Sequence, residues 1–442
     1  MFQYKKTVLI FLIMALIFCG GASAAIVENL NVTYHFSGTY INVEAVAPVE
    51  NGGFFLGMAN SSSAILMKTD VTGKEIWRLS LPGDNVRTLV SLEDGGAVLA
   101  TIVRSVNGSE GTGYCFDGDA YIVRVDKEGH ILWQRELSHV GVGRLTVSKD
   151  MIFFAGWFWE TNSGFIQTYL LSTGTPFNDQ VCLGSEITPM IPFGMVLEAD
   201  DTLVLTGGTT SYLTEESAYA WIAKVSNGIV QRQKIIRTGS LDVMYGAGAC
   251  GYSIVQAHDG GYIVVGSNPP LGVTWASGIG WAVHVADDLS SVWAYELPGC
   301  YVPYAIVPFG CGYLIAGMDG YDDPVWLTLS IDGIITELEK ISQNGKRSMF
   351  NDVAPVSQCS AAIVGWFMPD SFAEGILLTL SDTNSSLISS IGFFGLEWGV
   401  IIWIFCISLV FTLVVAVSYP LFQKFGSMKK KYTKKSGKKK EN

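Results

Sequence analysis

The sequence has few charged residues and lacks the short motifs that identify common enzyme classes. Charged residues make up 15% of the 442-residue chain, against about 25% in typical soluble domains, and this profile argues against a disordered chain or a coiled coil. The motifs H-E-x-x-H, G-x-S-x-G and the P-loop are absent, and no G-x-G-x-x-G lies between a strand and a helix. No cysteines form a C-x-x-C pair, which argues against a structural zinc site.

Two uncharged apolar segments are present instead, and they differ in kind. Lys5 and Lys6 precede an apolar run over residues 7–18 and a small-residue signature at 22–24. This three-part pattern is typical of a secretory signal peptide, so we expect residues 1–24 to be removed. The second segment, residues 398–423, has 26 residues without a charge, enough to cross a hydrocarbon core of about 30 Å as one helix.

The residues after this segment are rich in lysine, and they predict its orientation. Nine lysines lie between residues 424 and 440, opposed only by Glu441. The positive-inside rule makes residues 424–442 a cytoplasmic tail, so we expect a single-pass type I protein of the cell membrane with residues 25–390 outside. Lys439 and Lys440 also match a di-lysine retrieval signal of the eukaryotic early secretory pathway, a match that lysine-rich tails produce readily.

The charge of the exterior segment differs from that of the whole chain. The formal net charge of the chain is -12. Removing the tail and the two signal lysines leaves 17 basic and 39 acidic residues, a formal charge of -22. Nucleic-acid binding needs a basic surface, so we expect no nucleic-acid partner.

A repeat of about fifty residues runs through the exterior segment. Each copy contains four short runs of β-branched and aromatic residues separated by glycine-rich turns such as Asp259-Gly260-Gly261, a pattern that predicts two successive hairpins. Four-stranded antiparallel units at this period predict an all-β, seven-bladed β-propeller. The seven copies centre on residues 50–57, 93–99, 153–156, 203–207, 252–266, 313–317 and 362–365.

The N-terminal end of the repeat region has one surplus strand, and the C-terminal end lacks one. Residues 29–38 match the fourth run of a unit, whereas the seventh unit ends after its third run, residues 376–380. We therefore expect an N-terminal strand to close the last blade, which removes the open sheet edges of the ring. An elongated solenoid or sandwich array would give no reason for this pattern.

Blade topology predicts two different faces. The tight-turn face carries the connections between strands one and two and between strands three and four. The long-loop face carries the longer connections between strands two and three. We expect the tight-turn face to look towards the bilayer and the long-loop face to look outward, where a partner can reach it. The longer connections are residues 107–116, 157–164, 208–217, 267–278, 318–323 and 366–374.

The Asp259-Gly260-Gly261 turn with its flanking strands, and the Asp126-x-x-Gly129-x-x-x-Trp133 element, resemble the degenerate propeller repeats of archaeal and bacterial secreted surface proteins. The resemblance covers roughly residues 30–390 and implies a fold and a surface location. Those repeats are distantly similar to quinoprotein dehydrogenase propellers. This chain has no adjacent cysteines and seven units where those enzymes have eight, so the resemblance implies no activity and no cofactor.

Six cysteines in the exterior segment predict disulfide bonds, since an even number in a secreted domain is typical of bridging. The repeat places some of them at equivalent positions of neighbouring units, which favours the pairs Cys311–Cys359, Cys250–Cys300 and Cys115–Cys182. Sequons for N-glycosylation occur at Asn31, Asn60, Asn107 and Asn384.

Aromatic residues at the start of two long connections are candidates for a binding face: Trp157, Trp159, Trp366 and Phe367. They could stack on a sugar or a partner's side chain, or pack between neighbouring blades. Acidic residues at 117–119 and 319–323 could supply oxygen ligands for Ca²⁺, but they lack the spacing of a calcium loop. Solvated acidic loops explain these residues better than a Ca²⁺ site, and we expect no resident cofactor.

The leading hypothesis is a non-catalytic, membrane-anchored propeller that binds a protein or a glycan through its long-loop face, or acts as a scaffold. One alternative is an exported oxidoreductase or hydrolase with its site at the central mouth of the propeller. Charged groups converging from several blades would favour the enzyme, and a plugged or apolar channel would favour binding. Another alternative is a lumenal subunit of a eukaryotic membrane complex, which the di-lysine match permits.

Overall fold

The computed structural model describes the chain from residue 26 to residue 382, with gaps. The described residues all fall in one compact unit, Met1–Thr383, and every regular element among them is a β-strand, as predicted. The described ranges are 26–34, 41–50, 52–60, 63–103, 118–161, 163–184, 190–209, 219–236, 249–268, 279–320, 323–341, 348–368 and 373–382.

These strands form seven antiparallel sheets of four strands each, which are the blades of a β-propeller. Blades one to three comprise β2(Asn42–Pro48), β3(Phe54–Ala59), β4(Ala64–Thr69), β5(Glu75–Leu81); β6(Asn85–Ser91), β7(Ala97–Ile102), β8(Ala120–Val125), β9(Ile131–Leu137); and β10(Val140–Ser148), β11(Met151–Phe158), β12(Gly164–Leu170), β13(Val181–Leu183).

The remaining blades follow the same order of strands, except that the last takes its fourth strand from the N-terminus. Blades four to seven comprise β14(Met190–Leu197), β15(Leu203–Thr209), β16(Ala220–Ser226), β17(Ile229–Ile235); β18(Cys250–Gln256), β19(Tyr262–Asn268), β20(Ile279–Val285), β21(Ser291–Glu296); β22(Val302–Phe309), β23(Gly312–Met318), β24(Pro324–Ser330), β25(Ile335–Lys340); and β26(Ser348–Ser357), β27(Ser360–Phe367), β28(Glu374–Asp382), β1(Ile26–Tyr34).

The ring closes as the sequence predicted, through the N-terminal strand. Strand β1 pairs antiparallel with β28, with Ile26 opposite Asp382 and Tyr34 opposite Gly375. The Tyr34 hydroxyl also donates a hydrogen bond of 2.8 Å to the Gly73 carbonyl in blade one. One strand therefore completes blade seven and contacts blade one.

The hydrophobic core lies between neighbouring blades. One cluster joins Val265 of blade five to Ile315 and Leu327 of blade six, and the other blade pairs pack in the same way. Second strands such as β3 and β23 are buried along their whole length. Because both faces of these strands pack against other blades, their sequences are continuous apolar runs rather than alternating ones.

The glycine and tryptophan of the repeat meet across blades. A Cβ on Gly333 of blade six would lie 2.9 Å from the ring of Trp293 in blade five, and one on Gly174 of blade three would lie 2.6 Å from Trp133 in blade two. The Trp133 indole also donates a hydrogen bond of 2.9 Å to the Leu171 carbonyl. In the Asp126-x-x-Gly129 turn of blade two, a Cβ on the glycine would lie 3.0 Å from Trp77 of blade one, so the turn of one blade and the tryptophan of the blade before it form one blade-to-blade contact.

This contact predicts different costs for two glycine substitutions. Gly333 and Gly260 both have positive φ, at 79° and 98°, so alanine at either position costs about 1–2 kcal/mol of backbone strain. Gly260 has no atom within 4 Å of an added Cβ, whereas Gly333→Ala must also displace Trp293, which adds about 1–3 kcal/mol. Urea unfolding of both variants measures the difference, and equal losses would contradict the contact.

Blade three departs from the prediction of uniformly tight turns. Residues 171–180 connect β12 to β13, and β13 has only three residues. Pro176 has no N–H to donate to the ladder, and the chain makes only an isolated bridge between Tyr169 and Pro176 before β13 begins. The tight-turn face therefore carries one longer connection.

The predicted signal peptide, residues 1–24, the apolar segment 398–423 and the lysine-rich tail all lie outside the described residues. Within the described ranges, no helix has the length and hydropathy needed to cross a bilayer.

Candidate functional site

A ring of bulged residues surrounds one mouth of the central channel. The first strands of neighbouring blades contact each other all the way around, and each has a one-residue register shift near its start. The start of the first strand lies on the long-loop face, and a bulge places its residue outside the ladder and redirects its side chain. The bulged residues are Glu44, Arg87, Gly143, Phe193, Tyr252, Tyr304 and Asn351.

Blades seven, one and two supply the polar arc of this mouth. The Asn351 amide donates hydrogen bonds of 2.8 Å to the Asn42 side-chain oxygen and to the Val43 carbonyl. The Asn42 amide in turn donates to Glu44, and the Arg87 guanidinium lies 3.6 Å from the Glu44 carboxylate. Amide, carboxylate and guanidinium groups are therefore joined across three blades.

Asn85 occupies the blade-two position equivalent to Asn42, two residues before the bulge. It is fully buried, and neither polar atom of its amide has a hydrogen-bond partner within the described ranges. An unpaired buried amide is costly, so each such group in a native structure calls for an explanation. Here the amide offers donors and an acceptor beside the polar arc.

Blades four, five and six supply the aromatic arc. The ring centroids of Phe193 and Tyr252 lie 6.3 Å apart, and those of Tyr252 and Tyr304 lie 5.8 Å apart. Trp157 of blade three extends the arc, with its ring 5.6 Å from Phe193 and 5.6 Å from Trp159. Burial raises the pKa of the Tyr252 hydroxyl well above its usual value, so this group stays neutral at physiological pH.

Gly143 separates the two arcs. A Cβ at this position would lie 2.3 Å from the Pro192 carbonyl oxygen, so the blade-three bulge can carry no side chain without backbone movement. The mouth therefore has a polar half and an aromatic half with a gap between them.

An ion pair crosses the channel at the next residue along the first strands. The Arg144 guanidinium of blade three lies 3.3 Å from the Asp352 carboxylate of blade seven, whose side chain is 5% exposed. Blades three and seven are not neighbours in the ring, so this pair bridges the channel. The Arg144 side chain lines a central cavity of about 280 Å³, so the pair stands across the channel at this level.

Polar side chains at this level also hold neighbouring blades together. The Val46 N–H donates to Asp352 at 3.2 Å, the Leu145 N–H to Thr88 at 3.3 Å, and the Ile306 N–H to Ser253 at 3.4 Å. In each case a side chain of one blade accepts from the backbone of the next. These groups contribute to the assembly of the ring, and the chemistry available to a ligand is concentrated at the mouth.

The structure separates the four aromatic residues predicted from the sequence. Trp157 and Trp159 belong to the mouth, although Trp157 is only 2% exposed. Their indole nitrogens are buried and lack hydrogen-bond partners in the described part of the chain. Trp366 and Phe367 end β27 in blade seven, on the far side of the ring, so the four do not form one platform.

The bulged residues of the mouth were not predicted from the sequence. Their position in the repeat could have identified several of them, because they lie at a constant distance before the following turn. Glu44, Arg87 and Tyr252 each precede the positive-φ glycine of the following turn by eight residues, at Gly52, Gly95 and Gly260. Phe193 precedes the positive-φ residue Asp201 by the same interval.

The described cysteines do not form the predicted disulfide bonds. None of the five described cysteines is in a disulfide. The Cys250 sulfur packs towards Gly208 of blade four, whereas Cys300 lies in the core between blades five and six. Cys311 and Cys359 occupy adjacent turns, joined by a hydrogen bond of 2.8 Å from the Gly310 N–H to the Gln358 carbonyl, but their thiols are not joined. Cys115 lies outside the described residues.

The rate at which each cysteine reacts with an alkylating reagent should depend on the burial of its thiol. Burial raises the pKa of the Cys300 thiol to about 12, so almost no reactive thiolate is present at pH 8. Cys311 is exposed. We expect iodoacetamide to modify Cys311 at least about a hundredfold faster than Cys300 in the folded protein, and mass spectrometry of timed samples measures both rates. Similar rates in the folded state would contradict the burial of Cys300, and unfolding in urea should make the rates equal.

Two further sets of predicted residues have defined surroundings. The buried Asp319 carboxylate pairs with the Lys340 ammonium at 3.0 Å and accepts the Asp323 N–H at 3.0 Å, so it is engaged by a cation of the chain itself. Asp119 accepts the His139 N–H at 3.1 Å.

Among the sequons, Asn31 is exposed on β1 and Asn60 accepts the Ser63 N–H at 2.6 Å. Asp117, Asn107 and Asn384 lie outside the described residues.

Comparison with solved structures supports the propeller fold. The chain is similar to the Dos1 propeller, with a TM-score of 0.50 and 10% identity over 81% of this chain and 96% of that one. It is also similar to the polysaccharide lyase Uly1, with a TM-score of 0.50 and 10% identity over 77% of this chain and 90% of that one. No family model and no curated protein matches the sequence. Identities this low indicate a shared fold and not a shared activity.

Proposed function

We propose that this protein is a membrane-anchored, cell-surface propeller that binds a protein or a glycan at the mouth on its long-loop face. It does so without catalysis. The observation that carries the proposal is the divided ring of bulged residues, with an aromatic arc at Phe193, Tyr252 and Tyr304 and a polar arc at Asn351, Glu44 and Arg87. Aromatic faces with a few fixed polar groups are typical of recognition sites.

The pairing of the charged groups at the mouth supports binding over catalysis. The Arg144–Asp352 pair spans the channel, and Glu44 is held between the Asn42 amide and the Arg87 guanidinium. A carboxylate paired in this way is well placed to recognise a ligand's polar groups. It has no neighbouring nucleophile among the bulged residues to activate.

A test of this proposal compares mouth variants with a matched control. The full-length protein in detergent micelles would be applied to a glycan array and to solubilised native membranes. We expect Phe193→Ala with Tyr304→Ala to weaken binding of the ligand so found by at least about tenfold, because aromatic anchors dominate such sites. Phe177→Ala, an exposed aromatic on the tight-turn side, should leave binding unchanged. Undiminished binding by the mouth variant would contradict the proposal.

The enzymatic alternative is favoured by the charged groups that converge on the channel from several blades, Glu44 and Arg87 at the mouth and the Arg144–Asp352 pair one residue further along the strands. An exported enzyme would turn over a ligand found in the same screen. Turnover that Glu44→Gln abolishes without weakening ligand binding would replace the binding proposal with this alternative.

A further inference from the structure

The tight-turn face exposes aliphatic side chains all around its rim. Exposed large hydrophobic residues usually occur singly over a surface. Within the described ranges, the exposed aliphatic residues lie in tight-turn connections or at the adjoining strand ends, and the exposed large hydrophobic residues towards the other side are tyrosines, Tyr219 and Tyr295. The aliphatic set is Val27, Val71, Ile76, Ile131, Leu132, Ile229, Val292, Ile331, Ile334 and Val356.

Several of these residues break the alternation expected of an edge strand. Ile76, Val292 and Ile334 directly precede the core-facing residues Trp77, Trp293 and Ile335, so their own side chains point to solvent. An edge strand normally carries polar or charged groups at such positions because exposed apolar edges promote association. This rim therefore has the composition of a contact surface.

The same face carries most of the exposed acidic groups of the turns. Exposed lysines in these turns are Lys74, Lys127 and Lys149. The exposed carboxylates outnumber them and are Glu50, Glu93, Asp94, Glu128, Asp150, Asp179, Asp200, Asp259, Asp287, Asp288 and Asp332. A surface with this balance disfavours anionic lipid headgroups and a second copy of the same face, and it favours a cationic protein surface.

A depression on this face combines both properties. It has a volume of about 540 Å³ and lies between the turns of blades one, two and seven. Val49, Val71 and Val356 supply apolar walls, and Glu50 and Glu93 supply carboxylates. Within the described ranges, no hydrogen bond or ion pair engages either carboxylate. A lysine or arginine side chain fits such a site, because its methylene groups can pack on the valines while its cationic group meets the glutamates.

We propose that the tight-turn face is a second docking surface, which binds a protein segment with basic residues next to apolar ones. One of its cationic side chains enters the depression between Glu50 and Glu93. This surface is independent of the mouth on the long-loop face. A propeller with two such faces can connect a ligand on one side to a partner protein on the other.

The test uses the full-length protein in detergent micelles and a fluorescent nine-residue peptide of alternating arginine and leucine. Anisotropy titrations measure its affinity. We expect Glu50→Gln with Glu93→Gln to weaken binding by at least about tenfold, because two charge-assisted contacts are lost. Val356→Ser should weaken it by a few-fold through the apolar wall. A peptide with glutamate in place of arginine should not bind, and one with serine in place of leucine should bind more weakly.

A control variant separates a defined site from general attraction to an acidic face. Asp150→Asn with Asp332→Asn removes the same two charges from blades three and six of this face. Equal weakening by the two double variants would overturn the proposal, because net charge alone would then explain binding. Absence of binding by the arginine–leucine peptide would also overturn it. A third result would overturn the proposal as well. If the parent protein sedimented as a dimer and the Glu50→Gln, Glu93→Gln variant as a monomer, the depression would bind a second copy of the chain.

Discussion

Tyr34→Ala should lower the free energy of unfolding by about 3–5 kcal/mol, the cost of truncating a large buried aromatic residue. Tyr34 is buried at the end of β1 among side chains of blades one and seven. Its hydroxyl is also bonded to the Gly73 carbonyl of blade one. The truncation therefore removes packing and a hydrogen bond at the one junction where the ring is closed by a strand distant in sequence.

Two control variants separate the contributions of packing and hydrogen bonding to the effect of Tyr34→Ala. Tyr34→Phe keeps the ring and loses only the hydrogen bond, for a cost of about 1 kcal/mol. Asn31→Ala changes an exposed residue of the same strand and should stay within about 0.5 kcal/mol of the parent protein. Urea unfolding followed by tryptophan fluorescence measures all three. If Tyr34→Ala cost no more than Asn31→Ala, the closing strand would not stabilise the ring.

The contribution of Tyr34 should also depend on pH in the alkaline range. Burial, with a smaller effect of Asp70, raises the pKa of the Tyr34 hydroxyl above its usual value near 10. A raised pKa in the folded state means that the stabilisation is complete below the unfolded-state pKa and is lost as the pH rises above it. The stability difference between the parent and Tyr34→Phe should therefore be constant from pH 6 to pH 9 and shrink at higher pH.

Arg144→Met should destabilise the protein by about 2–4 kcal/mol, because it leaves the buried Asp352 carboxylate without its cation. Arg144 is itself 37% exposed, and solvent screening places the expected loss below that of a fully buried pair. Replacing both partners, as Arg144→Met with Asp352→Leu, should recover at least half of the loss, since two apolar groups leave no unpaired charge.

A surface ion pair provides the matched comparison. Lys149 lies 3.0 Å from Asp201, but its side chain is 73% exposed, so Lys149→Met should change stability by less than about 0.5 kcal/mol. A double-mutant cycle in urea gives the coupling energy of each pair. If the Arg144–Asp352 coupling were as small as that of Lys149–Asp201, the ion pair would not contribute to stability across the channel.

The blade architecture was predictable because its signals are local. Turns such as Asp259-Gly260-Gly261 require positive φ, and each turn occurs within one hairpin. The closing strand was predictable because one run was missing at the C-terminal end of the repeat and one was surplus at the N-terminal end. Both signals are visible in residue order alone.

The mouth was not predictable in the same way, because it depends on contacts between distant residues. Asn351 and Asn42 meet only when the ring is closed, and the bulges add a residue inside runs that look uniform in sequence. The described cysteines form no disulfide, and a related reason applies to the predicted Cys250–Cys300 pair. Equivalent repeat positions fix where Cys250 and Cys300 lie along their blades, but the direction of each side chain depends on local packing between blades.

The bulges have an evolutionary consequence. A residue outside the hydrogen-bonded ladder can change without altering the pairing of its strand, so the bulged positions, apart from Gly143 and the buried Tyr252, are free to vary while the blade stays intact. The observed residues at these positions already range from glutamate to phenylalanine on strands with the same one-residue register shift. The fold thus separates the choice of ligand from the stability of the scaffold, and a library randomised at Glu44, Arg87, Phe193, Tyr304 and Asn351 should yield mostly folded proteins with altered specificity.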